Sequence, residues 1–380
     1  MNPSSSPLHL HESPLRPPCP AAERIFRWRG VHTPPPATVA DPLLQLLARV
    51  ASRSSLSDST SYGSGIRKFH LFCDLFHVPE ADRLPASFAV LHSFALWAAS
   101  DPDVIGSDLW KLGEFEPVSV QTVGKYLAAV RAWHLIQGWP PPLVEHERQR
   151  IEFSLRGLAK LSAGKRSRPV RPPVTVRMLA ALRTSLCLDS SFDACVWAMA
   201  TCAFWGMMRL GEATVQSRRA FSPQSHATRG SVYQDHDLKG TPYARIDLPR
   251  AKTAAPGEKQ SIWLTPQGPL CPLTALHNMA RVTPAGPEDP LFSWRDSQGA
   301  IRPLVKTAAL ARVNDILARS ELGSTFGHSF RIGGASYYLA QKVDPEMVQI
   351  AGRWRSLAYE TYIRGFEQVI SRHMAHMDER

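Results

Sequence analysis

Cysteine is scarce in this chain, and what there is lies scattered. Six thiols (Cys19, Cys73, Cys187, Cys195, Cys202 and Cys271) in 380 residues include no Cys-x-x-Cys pair and no clustered spacing. That pattern excludes a thiolate zinc site and a small disulfide scaffold, and it reads as a reduced, intracellular protein. Cys195 and Cys202 stand in an apolar run and read as small core residues. Long apolar runs are missing as well. The longest, 194–208, contains Thr201 and stops at Arg209, so it is short for a membrane span and reads as a buried helix. The N-terminus has no charged-then-apolar signal pattern. Acid is in short supply: 33 Asp and Glu against 44 Lys and Arg give a net charge of +11 and a pI near 9.6. This balance favours a polyanionic partner, of which nucleic acid is the commonest, although many basic proteins bind none. No acidic triad suited to a metal is evident. His373 and His376 lack a carboxylate or cysteine partner at ligand spacing and read as a solvated helix end.

Proline and serine are abundant, above all in residues 1–54, where Pro34-Pro35-Pro36 interrupts any sustained period. Such composition buries little apolar surface, and a disordered tail is expected there. Within it, Asp41-Pro42 ahead of Leu43, Leu44, Leu46 and Leu47 is a cap-and-proline start for a short helix. From residue 55 to 163 the pattern is helical. Ser57 or Asp58 starts a helix with Ile66, Phe69, Phe72 and Phe76 on one side and Arg67 and Lys68 on the other. Helices are expected over 86–100, 119–137 and 145–161, and four of this length make a small bundle.

The stretch 164–175 is the clearest boundary. Prolines keep it extended, and Lys165, Arg166, Arg168 and Arg171 make it a strap suited to a phosphate backbone, or a solvated basic linker that also serves nuclear import. Beyond it, 176–380 begins with a helix capped by Thr175. The apolar helix is expected to run to Arg209, and strands are expected over 243–248 and 260–264. Residues 221–240 read as a polar loop. Helices are expected again over 273–281, 306–319, 330–341, 345–351 and from 358 onward.

The most specific feature is an ordered set of residues in this second half. Arg209-Leu210-Gly211-Glu212 is followed by Arg250-Ala251-Lys252-Thr253, then Gly327-His328-Ser329-Phe330-Arg331, then Ala351-Gly352-Arg353-Trp354, then Tyr362-Ile363-Arg364. Core packing does not call for that order. Chemistry at a phosphodiester does, because a dianionic transition state needs cations, hydrogen-bond donors and a nucleophile converging on one phosphorus. Each element alone is weak; the ordered set resembles the tyrosine recombinase (phage-integrase) family, over roughly residues 176–370.

The resemblance implies a mainly α fold with a small antiparallel β-sheet. It pairs a helical, SAM-like core-binding domain with an α+β integrase-like catalytic domain. It implies Tyr362 as the nucleophile forming a 3′-phosphotyrosine, with Tyr359, Tyr337 and Tyr338 as other candidates by type. Arg209 and Arg331 become clamps on the non-bridging oxygens, for which the planar guanidinium fork is suited. Lys252, or Lys259 on the same hairpin, becomes the acid that protonates the leaving 5′-oxygen. His328 donates to the phosphate or helps deprotonate the tyrosine. The remaining donor is Trp354, which stands eight residues before Tyr362, or Arg353, which stands nine before it. Glu212 supports Arg209. Gly333-Gly334 is expected to permit close packing or close approach of DNA.

Arg67, Lys68, Lys125 and Arg131 join the linker cations as expected DNA contacts. No cofactor and no metal are implied, and the partner is double-stranded DNA bound by a homotetramer on paired sites. A type IB topoisomerase and a domesticated, non-catalytic DNA-binding protein remain open beside a recombinase, integrase or mobile-element enzyme. Residence would be intracellular, and nuclear in a eukaryote.

Overall fold

Among the described residues of the computed structural model, one large hydrophobic core lies in Met1–Arg168 and one in Pro169–Arg380, the latter with a smaller cluster of Met207, Ala335, Leu339 and Val348 beside it. The structure describes residues 9–36, 38–56, 58–101, 117–162, 172–250, 258 and 260–354.

The first unit is helical: α1 (Ala21–Arg27), α2 (Pro42–Ser54), α3 (Ser59–Leu75), α4 (Phe88–Ala99), α5 (Val120–Ile136) and α6 (Glu145–Leu161). Four of these starts carry a side-chain cap. Asp41, Asp58, Ser87 and Ser119 accept hydrogen bonds from the first-turn amides of α2, α3, α4 and α5. Ile66, Phe69, Phe72, Phe94, Trp97, Trp133 and Ile151 fill the core, whereas Phe76 of the expected stripe is half out in solvent.

The expected disorder of 1–54 is corrected for its described part. Ile25 and Trp28 are buried in the core, Trp133 Nε1 donates to the Trp28 carbonyl at 2.8 Å, and Gly63 lacks the β-carbon that would collide with the Ala21 carbonyl. A buried ionic network adds to this, with Arg16 on Glu80 at 2.6 Å and Arg83 on Asp74 at 2.7 Å. A few large apolar groups and one network offset the chain entropy that average composition suggests would win. Helix α2 sits differently. Leu43, Leu44, Leu46, Leu47 and Val50 all face solvent, while Ala48 and Ser52 are half-buried.

The second unit is built around α8 (Ser191–Trp205), buried continuously from Asp193 to Trp205. Before it comes α7 (Val176–Ser185), capped by Thr175. After it come α9 (Leu210–Ala213) and strands β1 (Val232–His236), β2 (Pro242–Leu248) and β3 (Gln260–Leu264). The chain continues through α10 (Pro272–Val282), β4 (Ser293–Arg295), β5 (Ile301–Pro303), α11 (Lys306–Arg319), α12 (Ser329–Ala340) and α13 (Pro345–Gly352). β1, β2 and β3 form an antiparallel sheet in that order, and β4 and β5 form a hairpin. Ala244, Ile246 and Leu248 alternate inward along β2, and Ile246 faces Ile262.

Three features of this unit depart from what its sequence suggests. The region expected as a loop contains β1, an edge strand whose residues are mostly exposed and so carry no apolar alternation. The β4–β5 hairpin is too short to show a period. The apolar helix ends at Trp205, not Arg209: Gly206 closes it, and Met207 adopts a left-handed φ of 45°. Gly333 and Gly334 serve close packing. A β-carbon at either would lie 2.0 Å from a backbone oxygen, of Val174 and Phe204 respectively. They let α12 lie against α8.

Candidate active site

The early ending of α8 sets the position of Arg209. Once Gly206 to Met208 leave the helix, Arg209 becomes the N-cap of α9 and Glu212 its third residue. Glu212 therefore reaches back. Its Oε2 accepts the Arg209 backbone N–H at 2.9 Å, and its Oε1 accepts Arg209 Nη1 at 2.8 Å. The Arg-x-x-Glu spacing is half of a capping box that also grips a side chain. Arg353 completes the arrangement, donating Nη2 to Glu212 Oε2 at 2.7 Å and Nη1 to the Gly206 carbonyl at 3.4 Å. One carboxylate thus bridges two guanidiniums, with Glu212 and Arg353 almost fully buried and Arg209 the most exposed of the three. Burial lowers the pKa of Arg353 below the ordinary arginine value, and the charge of Glu212 works against that shift.

Arg331 enters from the first turn of α12 and is 2% exposed. Its Nη1 donates to the Met207 carbonyl at 2.6 Å, and its Nη2 to the Gly352 carbonyl. The left-handed Met207 ties this anchor to the end of α8. The indole of Trp354 covers the guanidinium, with Cζ 4.1 Å from the ring centroid. The indole is there because α13 closes with Arg353 left-handed, at φ 59° and ψ 44°. Arg353 N–H bonds the Ile350 carbonyl and Trp354 N–H the Gln349 carbonyl. The turn folds the ring back onto Gly352, where a β-carbon would overlap it.

His328 is the residue that opens α12, half-buried and one turn from Arg331. Beside Arg353 and Trp354 lies an open cleft of about 230 Å³, bordered by Gln349 and by Glu258, Gln260 and Ser261 at the start of β3.

The structure thus brings Arg209, Glu212, Arg331, Arg353 and Trp354 into one connected set, with His328 on the adjoining turn. Lys252, Lys259 and Tyr362, with Tyr359, lie outside the described residues, as do Lys165, Arg166, Arg168 and Arg171. Of the other tyrosines, Tyr338 donates its hydroxyl to the Trp205 carbonyl at 3.1 Å, and burial pushes its phenol up to about 12. Tyr337 packs edge-on against Trp205. In the first unit, Arg67 and Lys68 are half-buried on α3, with Lys68 Nζ 4.9 Å from the Trp97 ring centroid. Lys125 and Arg131 are exposed on α5.

One neighbour of the set carries no sequence signal. Lys306 begins α11 and lies against Gly327, the residue before His328. Nothing in Val-Lys-Thr-Ala announces it, and only the folded path brings it there.

No protein-family model matches the sequence, and no curated protein matches it. Solved structures do resemble the chain. The XerH site-specific recombinase bound to palindromic difH substrate, in a post-cleavage complex, aligns with a TM-score of 0.52 at 14% identity, covering 88% of this chain and 84% of that one. The same recombinase in a pre-cleavage complex scores 0.48 at 13% identity, covering 84% and 79%. The Tn1549 transposon integrase in complex with circular intermediate DNA scores 0.40 at 12% identity, covering 73% and 81%. The fold is that of the tyrosine recombinases: a helical unit followed by a mainly helical unit with small antiparallel sheets. At this identity the likeness concerns the fold alone. Among the described residues no helix is long and apolar enough to cross a membrane.

Proposed function

We propose that this protein is a site-specific DNA recombinase or integrase that cuts and rejoins DNA through a 3′-phosphotyrosyl intermediate, without a metal. The observation that carries the reading is the junction of Arg209, Glu212, Arg353, Arg331 and Trp354, drawn from segments far apart in sequence. Two guanidiniums, of Arg209 and Arg353, share the one carboxylate of Glu212, which costs solvation and leaves the trio with a net positive charge. An anion arriving at this place offsets it.

In the proposed reaction the Tyr362 oxygen attacks the scissile phosphorus and its phenolic proton passes to a base, with His328 the candidate. The P–O5′ bond breaks as Lys252 gives a proton to the departing oxygen. Arg209 and Arg331 bear the charge that grows on the non-bridging oxygens, as preorganised donors in a partly water-excluded site. Attack by a 5′-hydroxyl on the phosphotyrosine reverses the step and reseals a strand, conserving the bond energy. Trp354 holds Arg331 from the side of its ring face, and Glu212 holds Arg209 and Arg353.

The DNA is double-stranded, and exchange between two duplexes requires several protomers, a homotetramer on paired sites. The exposed leucine stripe of α2 supports such assembly, since a stripe of this kind is usually covered. The strap of Lys165, Arg166, Arg168 and Arg171, with Arg67, Lys68, Lys125 and Arg131, would follow phosphates and carry no base information.

A nicked suicide duplex tests the reading. The protein should become covalently attached in EDTA, and Tyr362→Phe should abolish attachment while binding DNA nearly as well. An adduct formed by the Phe variant, or cleavage that EDTA stops, overturns the mechanism. Relaxation of supercoiled plasmid without two-site recombination would mark a type IB topoisomerase, and DNA binding with neither activity a domesticated binding protein.

A further inference from the structure

Lys306 occupies a place that a merely solvated lysine does not need. Its Cε and Nζ stand 3.0 and 3.1 Å from where a β-carbon on Gly327 would be, and Leu210 Cβ lies 3.9 Å from the same point. The ammonium is therefore set between the residue that precedes His328 and the residue after Arg209. Its backbone is fixed to the Arg209 segment too. Lys306 N–H donates to the Val215 carbonyl at 3.0 Å, and Val215 N–H to the Leu304 carbonyl at 3.0 Å, so the start of α11 is tied to the segment leaving α9.

Glu212 compensates Arg209 and Arg353. Among the described residues no carboxylate stands within ion-pair distance of Lys306, although the side chain is half-buried. A half-buried ammonium with no carboxylate partner among the described residues, at the turn before His328, is a place suited to an anion. The absence of a side chain at Gly327 fits this, because an added methyl would push the ammonium by a few tenths of an ångström.

We infer that Lys306 is a further phosphate-binding residue of this site, its ammonium contacting a backbone phosphate of bound duplex DNA. The inference rests on the DNA-recombinase reading and adds a contact to it. Lysine suits the role as a compact point charge with rotatable donors, where the bidentate clamps are arginines.

The test is the salt dependence of binding by the full chain to a random-sequence DNA duplex, which needs neither a known target nor cleavage. Each neutralised phosphate contributes about 0.9 to the slope of log affinity against log salt. Lys306→Met should reduce the slope by about one, Lys306→Gln should match it, and Lys306→Arg should keep the wild-type slope. Gly327→Ala should weaken binding at low salt. Lys239→Met, at an exposed lysine in the β1–β2 turn, removes the same formal charge and should leave the slope unchanged. If both Lys306→Met and Lys306→Gln move the slope no more than Lys239→Met does, the assignment of Lys306 is overturned while the recombinase reading stands. If the wild type binds no duplex in a salt-dependent way, both are overturned.

Discussion

The Arg331 guanidinium sits over the Trp354 indole, Cζ to ring centroid 4.1 Å, and both are held by the carbonyl-lined end of α13. A cation–π contact of this kind is worth roughly 0.5–2 kcal/mol, more where water is excluded. It separates two roles for the tryptophan. Trp354→Phe keeps a ring over the cation but removes the indole N–H; Trp354→Ala removes both. If stacking is what Arg331 needs, the Phe variant should melt within a few degrees of wild type, and the Ala variant of this half-buried ring should lose about 1–3 kcal/mol of stability. In single-turnover adduct formation Phe should stay within a few-fold, while Ala falls tenfold or more. Equal losses for the two in adduct formation would make the N–H the working group.

Glu212 joins Arg209 and Arg353 through one carboxylate, so the three should behave as a unit. Glu212→Gln retains the shape and loses the charge, and Arg353→Ala removes the deeper guanidinium. Each alone should lower both stability and adduct rate, because each strands a buried partner. The double variant should be less damaged than the sum of the singles, with a coupling of about 0.5–3 kcal/mol measured by denaturant unfolding. Additive losses would mean that the two bonds to Glu212 work independently.

How much of this could be read from the chain depends on what each residue's role requires. The pairing of Arg209 with Glu212 was legible through the resemblance, but its cap geometry was not, because the apolar helix was expected to run on to Arg209 and instead stops at Trp205; the helices α3 to α6 were legible from caps and stripes. The commitment of Arg353 was not. Its side chain turns inward because the residue after Gly352 is left-handed, and a left-handed arginine has no sequence signature when glycine is the usual occupant. Trp28 and Ile25 stood in a Pro/Ser-rich stretch whose average composition argued for disorder, yet two buried side chains and a network around Asp74 are enough to fix it. Lys306 was invisible for a simpler reason. Its neighbours are distant in sequence, and single lysines at helix starts are common.

Two glycines should respond in opposite ways to the same methyl. Gly333→Ala puts a β-carbon 2.0 Å from the Val174 carbonyl oxygen, a backbone atom that cannot turn aside, while Gly211 has nothing within 4 Å. Gly333→Ala should destabilise by more than about 4 kcal/mol, in the range of severe overpacking, and yield insoluble or unfolded protein. Gly211→Ala, in α9, should be neutral or stabilising by up to about 1 kcal/mol through loss of unfolded-state freedom. Paired thermal melts decide it, and similar melting for both variants would show that α12 can withdraw from Val174.

His134 gives the first unit a pH dependence whose sign is set by its bonds. Its Nδ1 donates to the Val130 carbonyl at 2.8 Å, and its Nε2 accepts the Ala86 backbone N–H at 2.9 Å, an arrangement that needs the neutral ring. Burial is the main cause that lowers its pKa from 6.5 to about 4, against a smaller opposing effect of the Val130 carbonyl. Between those values the unfolded chain binds a proton that the folded chain does not, so stability rises with pH across that window and is fully present above about 6.5. Acidification from pH 7 to 4 should therefore cost a few kcal/mol at this residue. His70, buried with its pKa also depressed by burial and by Arg16 and Arg83, acts in the same direction. Replacing His134 with Gln supplies an uncharged acceptor for the Ala86 amide. That variant of the full chain should lose less stability than wild type between pH 6.5 and 4, measured by denaturant midpoints of the first unfolding transition. An equal loss in both proteins would place the acid sensitivity elsewhere, in the Asp74 network with Arg16 and Arg83.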